Sequence, residues 1–332
     1  MDFQIEDQLM SSVEALKIAG EQRLKDNIKI PLGVRYLDLA LNGGIFGNDM
    51  VILSGASGIG KTEAALCFTE NVARTGKKAL YYGLEMASGE GAMRLEYRSL
   101  ARLCKQHNEV KWISYQMFEG GELRQLEKRY RTLMDDDLNK FMGSITWRHK
   151  GTNFYVDDLK KELLENKDKT DIVFVDHLSF IDTFGKYNEL KETEQVVKDI
   201  KNFCDIYSIP VVLVAHIRKG DRKAKVFIPH EEDIVGTKHI VNIASRIIMI
   251  APDMKNTGHN GLYPTYIRVA KNRKAQYTTR YAARLNFNAF TNQYEDDFEL
   301  VHVVGNCDDF IPIAKEDYPY WVEPYAAEKR GV

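Results

Sequence analysis

The stretch GASGIGKT at residues 55–62 follows the apolar run MVIL at 50–53 and leads into AALCFTENVAR, which ends shortly before Gly76. It matches the phosphate-loop pattern G-x-x-x-x-G-K-S/T at each fixed position, in the strand–loop–helix context that the pattern requires. Residues 50–53 suit a buried parallel strand, and residues 63–74 read as a helix stopped by Gly76. Glycines 55, 58 and 60 let the backbone curl so that successive N–H groups face phosphate oxygens, and the helix start adds its positive dipole end. The predicted cradle is Gly55, Ala56, Ser57, Gly58, Ile59, Gly60, Lys61 and Thr62. Lys61 is placed to reach the β- and γ-phosphates, and the Thr62 hydroxyl to hold Mg²⁺. The pattern points to a nucleoside triphosphate.

The bulk numbers set the frame. A chain of 332 residues with 44% hydrophobic content fits one large or two modest globular domains. No run of about 18 apolar residues exists, so no membrane span is expected. The first residues, MDFQIEDQLMSSVEALK, are acidic where a secretory signal would be basic. The four cysteines, at 67, 104, 204 and 307, show no paired spacing. That argues against structural zinc and a disulfide framework, and predicts a reducing, cytoplasmic setting, including that of a host cell for a phage-encoded protein. A formal charge of −2 means that any nucleic-acid surface must be local.

Along the chain, residues 5–24 predict an amphipathic helix with Ile5, Leu9, Val13 and Leu16 on one face, packing either on its own domain or on a neighbouring subunit. From Ile30, apolar runs alternate with helical stretches, the signature of a mostly parallel α/β sheet flanked by helices. Strands are expected at 79–83, 144–147, 172–175, 211–215, 247–250, 266–270 and 281–287. The last two are expected to pair as an antiparallel hairpin at the sheet edge. Helices are expected near 90–105 and 121–135, both rich in charge, and at 156–166 and 192–207. The simplest division is a helix and linker at 1–29, one ATPase domain at 30–292, and an acidic, aromatic tail at 293–332. That tail, with YPYWVEPY, either packs on the body or binds a partner.

Two carboxylates fit the nucleotide chemistry. Asp176 ends the apolar run in DIVFVDH and would reach the sheet edge where ligands of open α/β sheets bind, to position Mg²⁺. Asp171 starts the same run and reads as structural. Glu85, in YYGLEMASGE, would emerge at that edge as a general base for the attacking water, or else simply complement a helix dipole. His216 ends VVLVAH, either as a sensor of the γ-phosphate or as a satisfied polar residue. The following HIRKGDRKAK carries Arg218, Lys219, Arg222, Lys223 and Lys225. Such a basic loop either grips a nucleic-acid backbone or is a solvated surface. Lys271, Arg273 and Lys274 fall at the expected tip of the edge hairpin, where an arginine is a candidate finger for a neighbour's γ-phosphate.

Taken together, GASGIGKT, GLEM at 83–86, DIVFVDHLSFI at 171–181, VVLVAHIRK at 211–219 and VAKNR at 269–273 resemble, in order, the RecA-like ATPase domain of hexameric replicative helicases. That group contains DnaB, phage primase-helicases and Twinkle, and the resemblance covers residues 30–290. It implies ATP and Mg²⁺ as ligands, with Glu85 as catalytic glutamate, Asp176 as the metal-positioning aspartate and His216 as the γ-phosphate sensor. It also implies Lys271 and Arg273 acting in trans, and a 217–240 loop lining a central channel for single-stranded DNA. The implied function is a ring-forming motor, hexameric as in that group, that unwinds duplex DNA in replication. Two other classes fit the same core: a recombinase-like filament ATPase on single-stranded DNA, and a non-motor regulatory or helicase-loading ATPase. No primase, zinc-binding or helical domain is recognised ahead of residue 30, so a primase or loader in trans is an expected partner.

Overall fold

The structure is a computed structural model that describes residues 11–25, 29–149, 153–181, 189–217, 234, 238–253, 258, 260–304 and 309–322. Nine helices are described: α1 (Ser12–Lys25), α2 (Arg35–Ala40), α3 (Lys61–Arg74), α4 (Glu90–Gln106), α5 (Tyr115–Glu119), α6 (Arg124–Leu138), α7 (Val156–Asn166), α8 (Glu189–Tyr207) and α9 (Lys238–Ile243). The strands are β1 (Met50–Gly55), β2 (Ala79–Gly83), β3 (Ile145–His149), β4 (Ile172–Asp176), β5 (Val211–His216), β6 (Arg246–Pro252), β7 (Leu262–Asn272), β8 (Tyr281–Asn288), β9 (Gln293–Val304) and β10 (Asp309–Pro312). They form one sheet in the order β10-β9-β8-β7-β6-β1-β5-β4-β2-β3.

From β3 to β6 the pairing is parallel, and from β6 outward to β10 it is antiparallel. The parallel strands read as continuous apolar runs because both of their faces are covered. In β1, Val51 and Leu53 join the core beneath α2 and α3, while Met50 and Ile52 join the opposite core with α7 and α8. The predicted pairing of 266–270 with 281–287 is present as β7 and β8. It does not form the sheet edge, however, because β9 and β10 lie outside it.

The expected boundary at 292 falls in the turn between two paired strands, β8 and β9. In its described part the tail packs on the body. Trp321 is 8% exposed and contacts the rings of Tyr36 and Tyr281. At the other end, two residues of the apolar stripe, Val13 and Leu16, are 76% and 74% exposed among the described residues. Ile5 and Leu9 lie outside the described residues.

The charge-rich helices α4 and α6 hold a buried ionic network instead of presenting only solvated faces. Glu70 on α3 and Arg98 on α4 have fully buried side chains. Glu70 receives Arg74 at 2.9 Å and Arg102 at 2.7 Å, and both arginines continue to Asp137 at the end of α6. Burial opposes charge on Glu70, yet Arg102, Arg98 and Arg74 more than offset it and hold its carboxyl below the usual range. Glu70→Ala would take a buried carboxylate partner from three arginines, one of them wholly buried. A loss of about 3–5 kcal/mol in denaturant unfolding is expected, and a change below about 1 kcal/mol would show that the network contributes little.

Candidate active site

The end of β1, the following loop and the start of α3 make the phosphate cradle. Gly60 caps α3 in the left-handed region at φ +89°, and no side chain bonds to the cap. A Cβ at Gly55 would stand 2.5 Å from the Ile250 carbonyl oxygen, so only glycine lets the loop leave β1 beside β6. The free N–H groups of the first turn of α3 face this loop as an anion site. Lys61 Nζ donates to the carbonyls of Gly55 at 3.1 Å and Ala56 at 2.8 Å, so the ammonium is parked on the loop it would leave for phosphate. Burial pushes the Lys61 ammonium pKa down, against the pull of Asp176 and Glu85.

Parallel register brings the other groups to the same edge. Gly55 pairs with His216, and Gly83 with Asp176. Glu85 follows two residues after Gly83. Lys61, Thr62, Glu85, Asp176 and His216, together with Ser57, Gly58 and Gly60, line one cleft of about 320 Å³. Asp176 is 1% exposed, and its Oδ2 accepts a hydrogen bond from the Tyr81 hydroxyl at 3.0 Å. Its Oδ1 is buried with no hydrogen-bond partner among the described residues. Burial pushes the Asp176 carboxyl up to about 6, opposed by the Thr62 and Tyr81 hydroxyls and Lys61 and assisted by Glu85. An orphaned buried oxygen beside a threonine hydroxyl is the donor set a hard divalent cation takes when substrate phosphates complete its shell.

Lys271 and Arg273 are not in this cleft. Val51, at the start of β1, pairs with Arg246, which in turn pairs with Asn272. Arg273 therefore stands level with the start of β1, roughly 13 Å along the strand from the phosphate loop. Lys271 Nζ donates to the carbonyls of Val241 and Asn242, and Arg273 Nη2 donates to Asn242 O, at the C-terminal end of α9. Cations are favoured at such an end. Arg273 and Lys274 begin the connection from β7 to β8, where Lys274 Nζ lies 3.7 Å from the Phe46 ring centroid and bonds Asn48. Arg218, Lys219, Arg222, Lys223 and Lys225 lie outside the described residues.

Several site residues escaped the sequence reading. Tyr81 holds Asp176, and its only signal was its place two residues before the end of β2. His177 lines the cleft against His216, although it stood in plain view after Asp176. Burial, then His216 and Lys61, push its pKa down to about 4. Arg94 also lines the cleft, paired with Glu63 and Glu90.

A phosphate loop feeding α3, with Asp176, Glu85 and His216 at neighbouring strand ends, defines a P-loop NTPase of the RecA-like kind. More narrowly, the chain belongs to the DnaB-like helicase C-terminal domain family, whose family model matches residues 29–296. It is 24% identical over 225 residues to the replicative DNA helicase DnaC of Bacillus subtilis (strain 168), covering 64% of this chain and 44% of that protein. A solved ATPase domain matches its fold with a TM-score of 0.66 at 16% identity, over 92% of this chain and 100% of that one. A DnaB-like replicative helicase, solved with its interactions with primase, gives a TM-score of 0.65 at 16% identity, over 93% of this chain and 68% of that one. The chain spans about half the length of the curated relatives it matches. No helix among the described residues is long and apolar enough to cross a membrane.

Proposed function

We propose that this chain is the motor domain of a ring-forming, ATP-hydrolysing DNA helicase that moves on single-stranded DNA during replication. The observation that carries the reading is the division of the catalytic set. Lys61, Thr62, Glu85, Asp176 and His216 share one cleft, while Lys271 and Arg273 stand at the opposite end of the strands. A chain cannot bring these two groups together by itself, but a neighbour docked head to tail can, and such heterologous contacts close into rings when the rotation permits. The ring expected is a hexamer, with ATP at each subunit interface.

In this reading Lys61 leaves the Gly55 and Ala56 carbonyls for the β- and γ-phosphates. Thr62 and Asp176 would hold Mg²⁺, which would supply charge screening for the triphosphate. Glu85 orients the attacking water and takes its proton as the new P–O bond forms and the bond to the ADP oxygen breaks. Arg273 and Lys271 of the neighbouring subunit stabilise the charge on the transferring phosphoryl group. His216 reads the γ-phosphate and passes its state to the basic segment that follows, whose cations grip the DNA backbone. A primase or a loader is the expected protein partner.

The test is strand displacement on a forked duplex with a 5′ single-stranded tail. ATP-dependent displacement is expected. Neutralising Arg218, Lys219, Arg222, Lys223 and Lys225 should abolish it, weaken single-stranded DNA binding and flatten its salt dependence, by about 0.7 in log–log slope for each lost phosphate contact. Nucleotide binding should persist. ATP hydrolysis without displacement, in a protein that forms filaments or no assembly on DNA, would contradict the motor reading.

A further inference from the structure

Two buried ring nitrogens beside the phosphate loop, His177 Nε2 and His216 Nδ1, have no hydrogen-bond partner among the described residues. The two rings touch, with centroids 3.9 Å apart and planes crossing at 76°. His177 is only 4% exposed, so solvent does not satisfy its orphan. Leaving a buried polar atom unpaired costs free energy that a native structure ordinarily avoids. Its other nitrogen is already engaged: His177 Nδ1 lies 2.8 Å from Ser179 Oγ, just beyond the end of β4. The Phe180 ring, 5.3 Å from His177, packs on the same imidazole. One orphan on each of two touching rings, both in the nucleotide cleft, is an arrangement that a single rotation could complete.

We propose that His177 is the positioning residue of the γ-phosphate sensor. Bound triphosphate turns His216 so that a hydrogen-bond chain forms: Ser179 Oγ–H to His177 Nδ1, His177 Nε2–H to His216 Nδ1, and His216 Nε2–H to a γ-phosphate oxygen. The proposal rests on the reading of His216 as the sensor. Each member donates to the next, and no proton changes owner. An uncharged imidazole has one donor and one acceptor, so the tautomer of one ring fixes that of the other. Both orphans are satisfied by one movement. With diphosphate the last acceptor is missing, and the chain has nothing to close on. The ends of β4 and β5 thereby respond to the same phosphate.

The full chain, with Mg²⁺, is titrated with a fluorescent non-hydrolysable ATP analogue and with fluorescent ADP, and the ratio of the two affinities is the readout. His177→Phe, which keeps a ring but removes both nitrogens, should lower that ratio roughly tenfold while ADP affinity stays within about twofold. His177→Gln, whose amide N–H reaches toward the Nε2 position, should restore most of it; His177→Asn, whose amide falls short, should not. Adding His216→Ala to His177→Phe should cost nothing further, because the two act as one unit. If His177→Phe does not fold, the Gln and Asn pair decides. A wild-type ratio in His177→Phe or His177→Asn, or additive losses in the double variant, would overturn the relay. An unchanged ratio in His216→Ala alone would instead overturn the sensor reading beneath it.

Discussion

Arg273→Ala is expected to lower ATP turnover by roughly 10³ to 10⁵, the range that arginine fingers contribute to phosphoryl transfer. Nucleotide affinity of the isolated chain should change little, since Arg273 lies at the opposite end of the strands from Lys61 and donates to the Asn242 carbonyl. Folding should survive as well, because Arg273 is exposed and its backbone bond from N to Ser245 O at 3.2 Å remains. Reaching a neighbour's phosphate requires the side chain to exchange the α9 carbonyl for a phosphoryl oxygen. That exchange favours the more highly charged acceptor. Steady-state turnover against protein concentration reads the effect, and a loss of less than about tenfold would remove Arg273 from the transition state.

Glu85→Gln is the second large effect. The amide keeps the shape of the side chain and its place in the cleft but takes no proton from water. Hydrolysis should fall roughly 10²- to 10⁴-fold, the usual worth of a positioned general base. Binding of ADP should be retained, because Lys61, Thr62 and the α3 start are untouched. Single-turnover hydrolysis separates the chemical step from product release, and normal hydrolysis there would show that another group activates the water. Glu85 is exposed just past the end of β2, so the substitution leaves no buried polar atom unpaired.

Much of this arrangement was legible because both faces of the parallel strands are buried. MVIL, IVFV and VVLVA carry no alternation, and each run ends on a residue or loop that lines the cleft. Strand β9 was not legible for the opposite reason. Its sequence, QYEDDFELVHVV, belongs to an antiparallel strand near the edge, where Asp296 and Asp297 stay exposed while Leu300 and Val301 are buried. Read as composition, it looks like an acidic tail. Strand β10 is only four residues long and carries too little pattern to announce itself. The ionic core was hidden in the same way, since charge on α4 and α6 ordinarily marks a solvated face. Only the packing shows that Arg98 is fully buried against Glu63 and Glu70. His177 and Tyr81 carry single-residue signals, and their roles depend on register across β2, β4 and β5. The splitting of Lys271 and Arg273 from the cleft follows from strand direction: β7 runs antiparallel to β6, so its C-terminal end lies at the opposite edge from the phosphate loop.

The claim that the site is completed by a second copy of the chain has one direct measurement. Lys61→Ala and Arg273→Ala, each inactive alone, are mixed under conditions where subunits exchange, with mixed assemblies verified by distinct tags. At some interfaces an intact phosphate loop then faces an intact Arg273, so ATPase activity should return to a definite fraction of the wild-type value. If both variants are present in one assembly and no activity returns, Arg273 does not act across the interface, and the account of a shared site is wrong.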